Sequence, residues 1–469
     1  MRGTMSERNR TPFDSVLDLV GWTPLVRLNR VVDGCRTPVY GKCEFMNPGG
    51  SVKDRIGQAM IEDAEKRGLL KPGGTIVEAT SGNTGLALAM AAASKGYRCV
   101  FTLPDKMSQE KVKLLRAFGA EVVITPTAVP PDHPENYLMK AKAIAAATPG
   151  AVLANQFYNP ANPDAHQRTT GPELWEQSAG RITHFFAGAG TGGTITGTGR
   201  FLKEKNPDVR IVGVDPEGSV IATFFHTGHM IQGQPYKVEG LGNDKIPGAL
   251  DLGVVDDYVT VSDGDSFRMA RRLAREEGLF VGGSSGLVTK AAVALAKELD
   301  DPDAFVVATL ADWGERYLSK LYDDDWMRDN GFLERPRRST VPDLVRAKEE
   351  PTSGLISVEP ATSVRMALST LSSHGVSQLP VLKSGECVGS VSEEKLMAGV
   401  IESPALLDKP VEGVMDGPYP VVDGHIDLDE ATRLLSRSNA AFLVRSNGGG
   451  LSGIVTRYDV VRALTGAAR

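Results

Sequence analysis

Short apolar segments alternate with longer helical patterns over roughly the first 330 residues of the chain. The apolar segments have the length of buried strands, and the segments between them have the length of helices. Predicted strands lie at residues 75–78, 98–103, 121–125, 184–187 and 210–214, and predicted helices lie at 83–95, at 108–118 and from about Thr194 onward. Strands that alternate with helices form parallel sheets covered by helices on both faces. The pattern therefore predicts an α/β protein built on parallel sheets.

A change in composition marks the end of this region. Residues 334–340 read Glu-Arg-Pro-Arg-Arg-Ser-Thr, and charged residues continue to the proline at position 351. Such a stretch is typical of a linker between domains. We therefore predict a first domain at residues 11–334 and a linker at 335–352.

An internal repeat follows the linker. Four positions of the first copy recur in the second copy at a constant offset of 64 residues, namely Ala367, Leu371, Gly389 and Ser392 against Ala431, Leu435, Gly453 and Thr456. Each copy has the pattern helix, apolar strand, turn, second strand, helix, and the first strands are predicted at 378–382 and 441–444. Repeated units of this kind bury their apolar faces against each other. The repeat predicts two α/β modules, at residues 353–402 and 411–469.

Composition and charge narrow the classes of function. The chain has 469 residues, a hydrophobic content of 41% and a net charge of −6. The length indicates two or three domains, and the acidic balance argues against a nucleic-acid partner, which would require a basic face. No apolar run approaches the length of a membrane span, and residues 1–10 lack the hydrophobic core of a signal peptide. We therefore expect a cytoplasmic protein without a membrane partner.

The cysteines and histidines do not indicate a metal site. The four cysteines lie far apart in the sequence, at Cys35, Cys43, Cys99 and Cys387. Their spacing matches neither a zinc site nor a disulfide framework. His226 and His229 form a close pair, but no carboxylate or cysteine supports them, and such pairs are more often structural. We predict no metal.

A lysine in a glycine-rich segment and two further Gly/Thr loops carry the candidate chemistry. The three motifs are Gly49-Gly50-Ser51-Val52-Lys53-Asp54-Arg55, Thr80-Ser81-Gly82-Asn83-Thr84-Gly85 and Gly190-Thr191-Gly192-Gly193-Thr194. A lysine amine forms a Schiff base with an aldehyde, and Gly/Thr loops at helix N-termini bind phosphate or carboxylate. The combination points to pyridoxal phosphate. A dinucleotide-binding loop is the competing interpretation of residues 188–193, although the threonines there and the Asp215-Pro216 pair fit it less well.

The segment Lys42–Arg55, Lys-Cys-Glu-Phe-Met-Asn-Pro-Gly-Gly-Ser-Val-Lys-Asp-Arg, closely resembles the lysine segment of the β-family, or fold type II, of pyridoxal phosphate enzymes. The resemblance extends from about residue 11 to residue 333, with all three motifs in the order that the family has. It implies the tryptophan synthase β-like fold, which has two parallel-sheet subdomains. It also implies pyridoxal 5′-phosphate as the cofactor.

The resemblance implies a role for each candidate residue. Lys53 is the lysine that binds the cofactor aldehyde and later removes the α-proton of the substrate. The implied cofactor ligands are Asn83 at the phenolic oxygen, Gly190, Thr191, Gly192, Gly193 and Thr194 at the phosphate, and Ser284 at the pyridine nitrogen. The implied ligands of the substrate carboxylate are Thr80, Ser81, Thr84 and Gln156. A serine at the ring nitrogen, rather than an aspartate, leaves the ring neutral and favours expulsion of a β-substituent.

Three features favour the cystathionine β-synthase branch of this family over the cysteine synthase branch. Residues 238–244, Val-Glu-Gly-Leu-Gly-Asn-Asp, resemble a segment of that branch, residues 214–219 follow its pattern, and the appended repeat is typical of it. The implied reaction is a β-replacement in which L-serine and L-homocysteine give L-cystathionine and water, and release of H₂S from cysteine is a possible additional reaction. Glu239 would protonate the leaving hydroxide or bind the ammonium group of homocysteine.

The repeat resembles the paired adenosine-binding modules called Bateman pairs or CBS-domain pairs. In that family the threonine and the aspartate of Gly-Ile-Val-Thr-Arg-Tyr-Asp bind an adenosyl ribose, which carries over to Thr456 and Asp459. Lys395 stands at the position of Asp459 in the first copy, and a lysine cannot accept a hydrogen bond from a ribose hydroxyl. The resemblance implies S-adenosylmethionine as a regulator, and AMP, ATP or a purely structural pair are the alternatives.

The haem content, the oligomeric state and the alternative functions remain to be considered. About a dozen residues precede the catalytic resemblance, without the Cys-Pro element by which animal relatives hold haem, so no haem is predicted. A homodimer or homotetramer is expected. Three alternatives stay open: a cysteine synthase that acts on O-acetylserine and sulfide, a serine or threonine dehydratase, and a nucleotide-sensing protein whose catalytic half is vestigial.

Overall fold

The computed structural model describes residues 12–80, 82–105, 109–130, 132–334, 355–423, 433–435, 439–445 and 449–465. The chain forms two units, Met1–Glu334 and Arg335–Arg469. Lys53 and both Gly/Thr loops belong to the first unit. The predicted linker at 335–352 lies outside the described residues.

The first unit alternates strands and helices along almost its whole length. Its strands are β1 (Leu25–Arg27), β2 (Val39–Cys43), β3 (Thr75–Ala79), β4 (Arg98–Pro104), β5 (Glu121–Thr125), β6 (Ala151–Leu153), β7 (His184–Gly188), β8 (Arg210–Pro216), β9 (Asp257–Val261) and β10 (Val306–Leu310). Its helices are α1 (Lys53–Lys66), α2 (Asn83–Lys95), α3 (Gln109–Ala117), α4 (Tyr137–Ala147), α5 (Ala161–Arg168), α6 (Thr170–Gln177), α7 (Gly193–Lys205), α8 (Ile221–Thr227), α9 (Asp263–Arg272), α10 (Gly283–Leu299) and α11 (Asp324–Asp329).

Two separate sheets organise these elements. The larger sheet has the strand order β1-β2-β10-β7-β8-β9, and the smaller sheet has the order β5-β4-β3-β6. All neighbouring strands are parallel except β1 and β2, which pair antiparallel at one edge of the larger sheet. The predicted α/β fold with two parallel-sheet subdomains is therefore confirmed, with one antiparallel edge strand in addition.

Helices cover both faces of each sheet, because neighbouring residues of one strand are buried in different hydrophobic cores. Phe185 and Phe186 of β7 are both buried but lie in different hydrophobic cores. Ile76 and Val77 of β3 are likewise buried in two different cores. Successive side chains of a strand point to opposite faces of the sheet, so each sheet has an apolar core on either side. Such double burial explains why the strands are continuous apolar runs rather than alternating ones.

The candidate loops follow the carboxyl ends of strands in both sheets. The loop that begins at Thr80 follows β3 of the smaller sheet, and the loop at residues 189–192 follows β7 of the larger sheet. Each loop leads directly into the N-terminus of a helix, α2 and α7 respectively. Ligands of parallel α/β sheets bind at this end because helix N-termini with unpaired N–H groups collect there.

The second unit contains the repeated pattern. Its elements are α12 (Val364–Ser373), β11 (Gln378–Lys383), β12 (Glu386–Ser392), α13 (Glu393–Glu402), β13 (Val421–Asp423), β14 (Ala441–Arg445), β15 (Leu451–Thr456) and α14 (Arg457–Thr465). β11 pairs antiparallel with β12, and β14 pairs antiparallel with β15. The two copies thus share a strand pair followed by a helix, as the offset predicted. Ala431, one of the repeated positions, lies outside the described residues.

Neither a membrane-spanning helix nor a metal-binding group of side chains occurs in the described ranges. None of the helices there combines the length and the apolarity that crossing a bilayer requires. No three His, Cys, Asp or Glu side chains in those ranges are grouped in a way that could hold a metal ion. All four cysteines are free thiols, and Cys43 and Cys99 are buried.

Candidate active site

Lys53 is the first residue of α1 and is half-buried. Burial lowers the pKa of its amine, and the nearby carboxylate of Asp312 opposes this effect only in part. An amine whose pKa is below the ordinary value for lysine has a larger neutral fraction at physiological pH. That form is the one that attacks an aldehyde or accepts a proton from carbon.

A buried network of charges holds α1 in place. Arg55, two residues after Lys53, binds Glu44 at 2.6 Å and Glu173 at 2.7 Å, and Lys42 also binds Glu173, at 2.9 Å. All four side chains are almost completely buried. Burial acts to raise the pKa of Glu173, but Arg55 and Lys42 outweigh it and lower that pKa to about 2. Because removal of one partner would leave an uncompensated buried charge, the network strongly restricts the start of α1.

Asp312 is a site residue that the sequence reasoning missed. It lies two residues beyond β10, is 2% exposed, and accepts hydrogen bonds from Asn83 Nδ2 at 2.8 Å and from the Tyr317 hydroxyl at 2.6 Å. Burial raises the pKa of Asp312, although these two hydrogen bonds oppose the shift. An acidic residue two positions after a parallel strand was the available signal, since functional groups gather at that end of a sheet.

The segment around Asp312 connects the lysine loop to the serine loop. On one side, the backbone N–H of Val52 donates to the Ala311 carbonyl at 2.8 Å. On the other side, Gly282 N–H donates to the Asp312 carbonyl at 3.1 Å. Ser284, which is 5% exposed, lies in the first turn of α10 just after Gly282. The structure thus brings the backbone around Lys53 and the backbone before Ser284 against one common segment.

The glycine loop before α7 fits a phosphate group. In the described part of the chain, the backbone N–H groups of Gly192, Gly193, Thr194 and Ile195 donate to no protein acceptor. These are the orphan donors of a helix N-terminus, and the partial positive charge of the helix dipole adds to their attraction for an anion. Thr191 and Thr194 contribute hydroxyl groups beside them. The donor set therefore suits the phosphate of the implied cofactor.

The loop before α2 fits a carboxylate. The N–H groups of Asn83 and Thr84 have no acceptor among the described residues, and the Thr84 hydroxyl donates to Gln156 Oε1 at 2.7 Å. Thr84 and Gln156 are both buried, and so is Thr80. Ser81, which was also predicted to bind the substrate, lies outside the described residues.

Glu78 fixes the position of Gln156. Its carboxylate accepts the backbone N–H of Asn155 at 2.6 Å and that of Gln156 at 3.4 Å. Asn155 has a φ of 51°, a left-handed conformation that is uncommon for residues other than glycine. Burial raises the pKa of Glu78 to about 7. Sequence reasoning did not identify Glu78, because its role depends on a strand-to-loop contact across 77 positions.

Glu239 lies between two lysines. It binds Lys111 of α3 at 2.9 Å and forms a very close ion pair with Lys320, which follows β10 in the chain. Burial acts to raise the pKa of Glu239, but the two lysines outweigh it and hold the pKa below the ordinary value. A carboxylate held in its ionised form is a poor proton donor. The pKa therefore argues against protonation of a leaving hydroxide by Glu239, and an ammonium ligand would have to replace Lys111 or Lys320 as its partner.

In the second unit, the two residues predicted to bind a nucleoside, Thr456 and Asp459, lie together at the start of α14. Asp459 Oδ2 accepts the Thr456 N–H at 2.7 Å and the Thr456 hydroxyl at 2.8 Å. In the first copy, Lys395 forms an ion pair with Asp416. The two copies thus differ in charge at the equivalent position, as the sequence comparison of Lys395 with Asp459 indicated.

Comparison with known proteins gives consistent results for both units. Residues 16–312 match the family model described as "Pyridoxal-phosphate dependent enzyme", and residues 347–402 and 411–466 each match the model for the CBS domain. The chain is 40% identical to cystathionine beta-synthase of Dictyostelium discoideum over 96% of its own length and 92% of that protein.

Two solved structures resemble the catalytic part. O-ureido-L-serine synthase is 42% identical, with a TM-score of 0.62, over 68% of this chain and 100% of that one. A hydrogen sulfide-producing enzyme from Fusobacterium nucleatum is 37% identical, with a TM-score of 0.60, over 66% of this chain and 99% of that one. The likeness is therefore confined to about two thirds of this chain and includes almost the whole of each neighbour.

Proposed function

The chain belongs to the pyridoxal-phosphate-dependent enzymes and, within them, to the cystathionine beta-synthase family, and from this premise we propose that it condenses L-serine with L-homocysteine to L-cystathionine and water. The observation that carries the proposal is the combination of Lys53, whose pKa is lowered, with a phosphate-type donor set at residues 192–195. The fold type II assignment and the paired CBS domains agree with it.

Pyridoxal phosphate, when bound, supplies the electron sink that stabilises negative charge at the substrate Cα. Its phosphate would be held by Thr191, Thr194 and the N–H groups of residues 192–195, together with Gly190 at the start of the loop. Asn83 would bind the phenolic oxygen, and Asp312 orients the Asn83 amide through the 2.8 Å hydrogen bond. Ser284 offers the ring nitrogen a neutral hydroxyl rather than a carboxylate, which fits β-replacement chemistry.

Different residues of this chain would bind the substrates and transfer the α-proton. Thr80, Ser81, Thr84 and Gln156, with the N-terminus of α2, bind the carboxylate of serine. Lys53 Nζ accepts the α-proton and returns a proton to Cα when the thiol has added to Cβ. The hydroxide that leaves Cβ and the proton that the thiol loses together form the water. The two lysines beside Glu239 keep it anionic, and the ammonium group of homocysteine would replace one of them as its partner.

The first test is identification of the product. The purified protein should be yellow and should form cystathionine from serine and homocysteine, and Lys53→Ala should lose both the colour and the product. A colourless wild-type protein would contradict the proposal and would favour a vestigial catalytic half. Pyruvate released from serine alone would instead indicate a dehydratase.

Cysteine synthase activity is the second candidate. The 42% identity to a synthase of a different serine derivative, O-ureido-L-serine, indicates that this catalytic fold alone does not select the pair of substrates. Release of H₂S from cysteine and homocysteine is an additional reaction of the proposed enzyme. It is supported by the likeness to a hydrogen sulfide-producing enzyme, and thiolate leaves more readily than hydroxide.

The paired CBS domains extend the proposal to regulation. An adenosyl ligand such as S-adenosylmethionine, AMP or ATP would bind at Thr456 and Asp459, with Asp459 accepting from the ribose hydroxyls. A ligand shifts activity only if it prefers one of two states, and a typical preference is about 1–3 kcal/mol. Calorimetry of the full-length protein with each compound tests this. Binding that Asp459→Ala leaves unchanged would contradict the site.

Self-association in the cytoplasm completes the proposal. Met366, Met397 and Ile401 are exposed apolar residues on α12 and α13, and Leu318 is exposed in the first unit. Such residues are available to contact a second copy of the chain in a homodimer or homotetramer. Sedimentation equilibrium measures the mass directly, and a monomer at all concentrations would contradict this part.

A further inference from the structure

Helix α5 carries two polar side chains that reach both hydroxyl groups of the glycine loop. Asn162 and His166 are one turn apart, so they lie on the same face of α5. Asn162 Nδ2 donates to Thr191 Oγ1 at 2.9 Å, and His166 Nε2 lies 3.2 Å from Thr194 Oγ1. Each of the two side chains from α5 is 1% exposed. Both hydroxyl groups of the loop are therefore in contact with a buried partner from α5.

Close packing of α5 against α7 holds these partners in place. A Cβ atom at Gly193 would overlap Asn162 Oδ1, and a Cβ atom at Gly197 would overlap the Pro163 carbonyl oxygen. Only glycine permits the two helices to approach this closely. Asn162 Nδ2 also donates to the Gln156 carbonyl at 2.8 Å, which leaves the amide little freedom to turn.

The direction of each hydrogen bond decides what the threonines can do. The Asn162 amide nitrogen can only donate, so Thr191 accepts from it and keeps its own hydroxyl hydrogen for another acceptor. His166 is neutral, because burial lowers its pKa to about 3 and the positive charge of Arg55 contributes to the shift. A neutral imidazole has one donor nitrogen and one acceptor nitrogen.

The contact of His166 with Thr170 is coupled to which ring nitrogen of His166 is the donor. His166 Nδ1 lies 2.8 Å from Thr170 Oγ1. If the Thr170 hydroxyl donates to Nδ1, the proton of the imidazole is on Nε2 and is donated to Thr194. Thr194 then keeps its own hydrogen for a ligand in the loop. In the opposite tautomer Nε2 would take that hydrogen, and Thr194 would turn lone pairs toward the ligand.

We propose that Asn162 and His166 are positioning residues that make Thr191 and Thr194 hydrogen-bond donors toward the cofactor phosphate, and that Thr170 holds His166 in the Nε2–H tautomer. A phosphate oxygen only accepts hydrogen bonds, so each threonine binds it well only with its hydrogen free. This inference rests on the proposed function, in which the loop at residues 190–194 binds that phosphate. It adds three residues of α5 and α6 to the cofactor site.

Binding of two cofactor forms to the apoenzyme separates this role from a general structural one. His166→Asn is too short to reach Thr194 and should weaken pyridoxal phosphate roughly ten- to a hundredfold, the loss expected for a hydrogen bond to a charged group. Its affinity for pyridoxal, which lacks the phosphate, should be unchanged. His166→Gln places an N–H near the original Nε2 and should recover most of the affinity. Equal weakening of both ligands by His166→Asn would overturn the inference.

A double-mutant cycle provides the control for folding. In a Thr194→Val background, which has no hydroxyl to orient, His166→Asn should cause no further loss of pyridoxal phosphate affinity. The same loss in both backgrounds would overturn the inference. A wild-type apoenzyme that binds neither pyridoxal phosphate nor pyridoxal would instead contradict the proposed function itself.

The tautomer can be observed without any assay of activity. Nitrogen-15 NMR of histidine-labelled holoenzyme distinguishes a protonated ring nitrogen from an unprotonated one, and the His166 signals are those absent from His166→Gln. Nε2 should carry the proton in the wild-type protein, and Thr170→Val should produce a mixture of the two tautomers. A proton found on Nδ1 in the wild-type protein would overturn the inference.

Discussion

Asn83 Nδ2 donates a 2.8 Å hydrogen bond to Asp312 Oδ2, although the two residues are 229 positions apart in the sequence. Asn83 begins the helix that follows β3 of the smaller sheet, and Asp312 follows β10 of the larger sheet. The bond therefore connects the carboxyl ends of the two sheets at the point where Lys53 begins α1. The site is formed by this junction rather than by either sheet alone.

The first prediction concerns the acceptor in this junction. Asp312→Ala should lower the free energy of unfolding by about 1–3 kcal/mol, because the Tyr317 hydroxyl and the Asn83 amide would lose their acceptor in a buried place. Tyr317→Phe is the matched control and should cost only about 0.5–1.5 kcal/mol, since it removes one donor and leaves Asn83 held. Urea unfolding measures both values. If both substitutions lower the free energy of unfolding by the same amount, Asp312 does not connect Tyr317 and Asn83 energetically.

The second prediction concerns pH. Burial raises the pKa of Glu78 to about 7, whereas an unfolded glutamate titrates near about 4.3. Between these values the folded state binds a proton that the unfolded state has lost, so stability falls as the pH rises from 5 to 7. Glu78→Gln keeps an acceptor for Asn155 N–H but cannot ionise. The loss of stability between pH 5 and pH 7 should therefore shrink by on the order of 2 kcal/mol.

Tryptophan fluorescence during urea unfolding at pH 5 and pH 7 measures the change in the free energy of unfolding of the first unit, which contains Glu78. All four tryptophans, Trp22, Trp175, Trp313 and Trp326, belong to the first unit. Glu121→Gln, at an exposed position of β5, is the control and should leave the pH dependence unchanged. If the free energy of unfolding depends on pH in the same way in Glu78→Gln and in the wild-type protein, Glu78 does not contribute to that dependence.

Elements of the fold and site were predictable where the residues that determine them are close together in the sequence. The helix at 83–95 has the predicted bounds, because Gly82 caps its start and Gly96, with a φ of 75°, ends it. The glycine loop before α7 was equally evident, since its signal lies within five consecutive residues. The resemblance supplied the roles of Asn83 and Ser284, which no local pattern distinguishes from turn residues.

The residues that the sequence did not reveal act across long separations. Lys111 and Lys320 meet Glu239 over 128 and 81 positions, and Asp312 meets Asn83 over 229. A single sequence contains no period or motif that pairs such residues. Their side chains are ordinary helix or loop residues until the two sheets bring them together, and only coordinates show the contact.

The third prediction concerns Glu239. If it binds the ammonium group of homocysteine, Glu239→Gln should raise the KM for homocysteine roughly tenfold or more, as expected for loss of a charge-assisted hydrogen bond. The rate of the reaction with serine alone, followed by rapid mixing, should stay within a factor of two to three of the wild type, about 0.5 kcal/mol. A slower serine reaction with an unchanged KM for homocysteine would favour the role as a proton donor instead.

The fourth prediction concerns Ser284. Ser284→Asp would place a carboxylate at the ring nitrogen, favour its protonation and change the way the cofactor distributes charge. Turnover should fall at least tenfold, roughly 1.4 kcal/mol, and the visible absorption maximum should shift. Ser284→Ala is the control, because it removes the hydroxyl without adding charge and should cause the smaller spectral change. Unchanged absorbance and turnover in Ser284→Asp would contradict the role assigned to this residue.

The most direct test of the account compares two pairs of substrates with the purified full-length protein. The value of kcat/KM should be larger for serine with homocysteine than for O-acetylserine with sulfide, and cystathionine should be the product. The reason is the anionic Glu239, which can exchange Lys111 or Lys320 for the ammonium group of a second amino acid, a group that sulfide lacks. A much larger kcat/KM for O-acetylserine with sulfide would contradict the account and assign the chain the activity of a cysteine synthase.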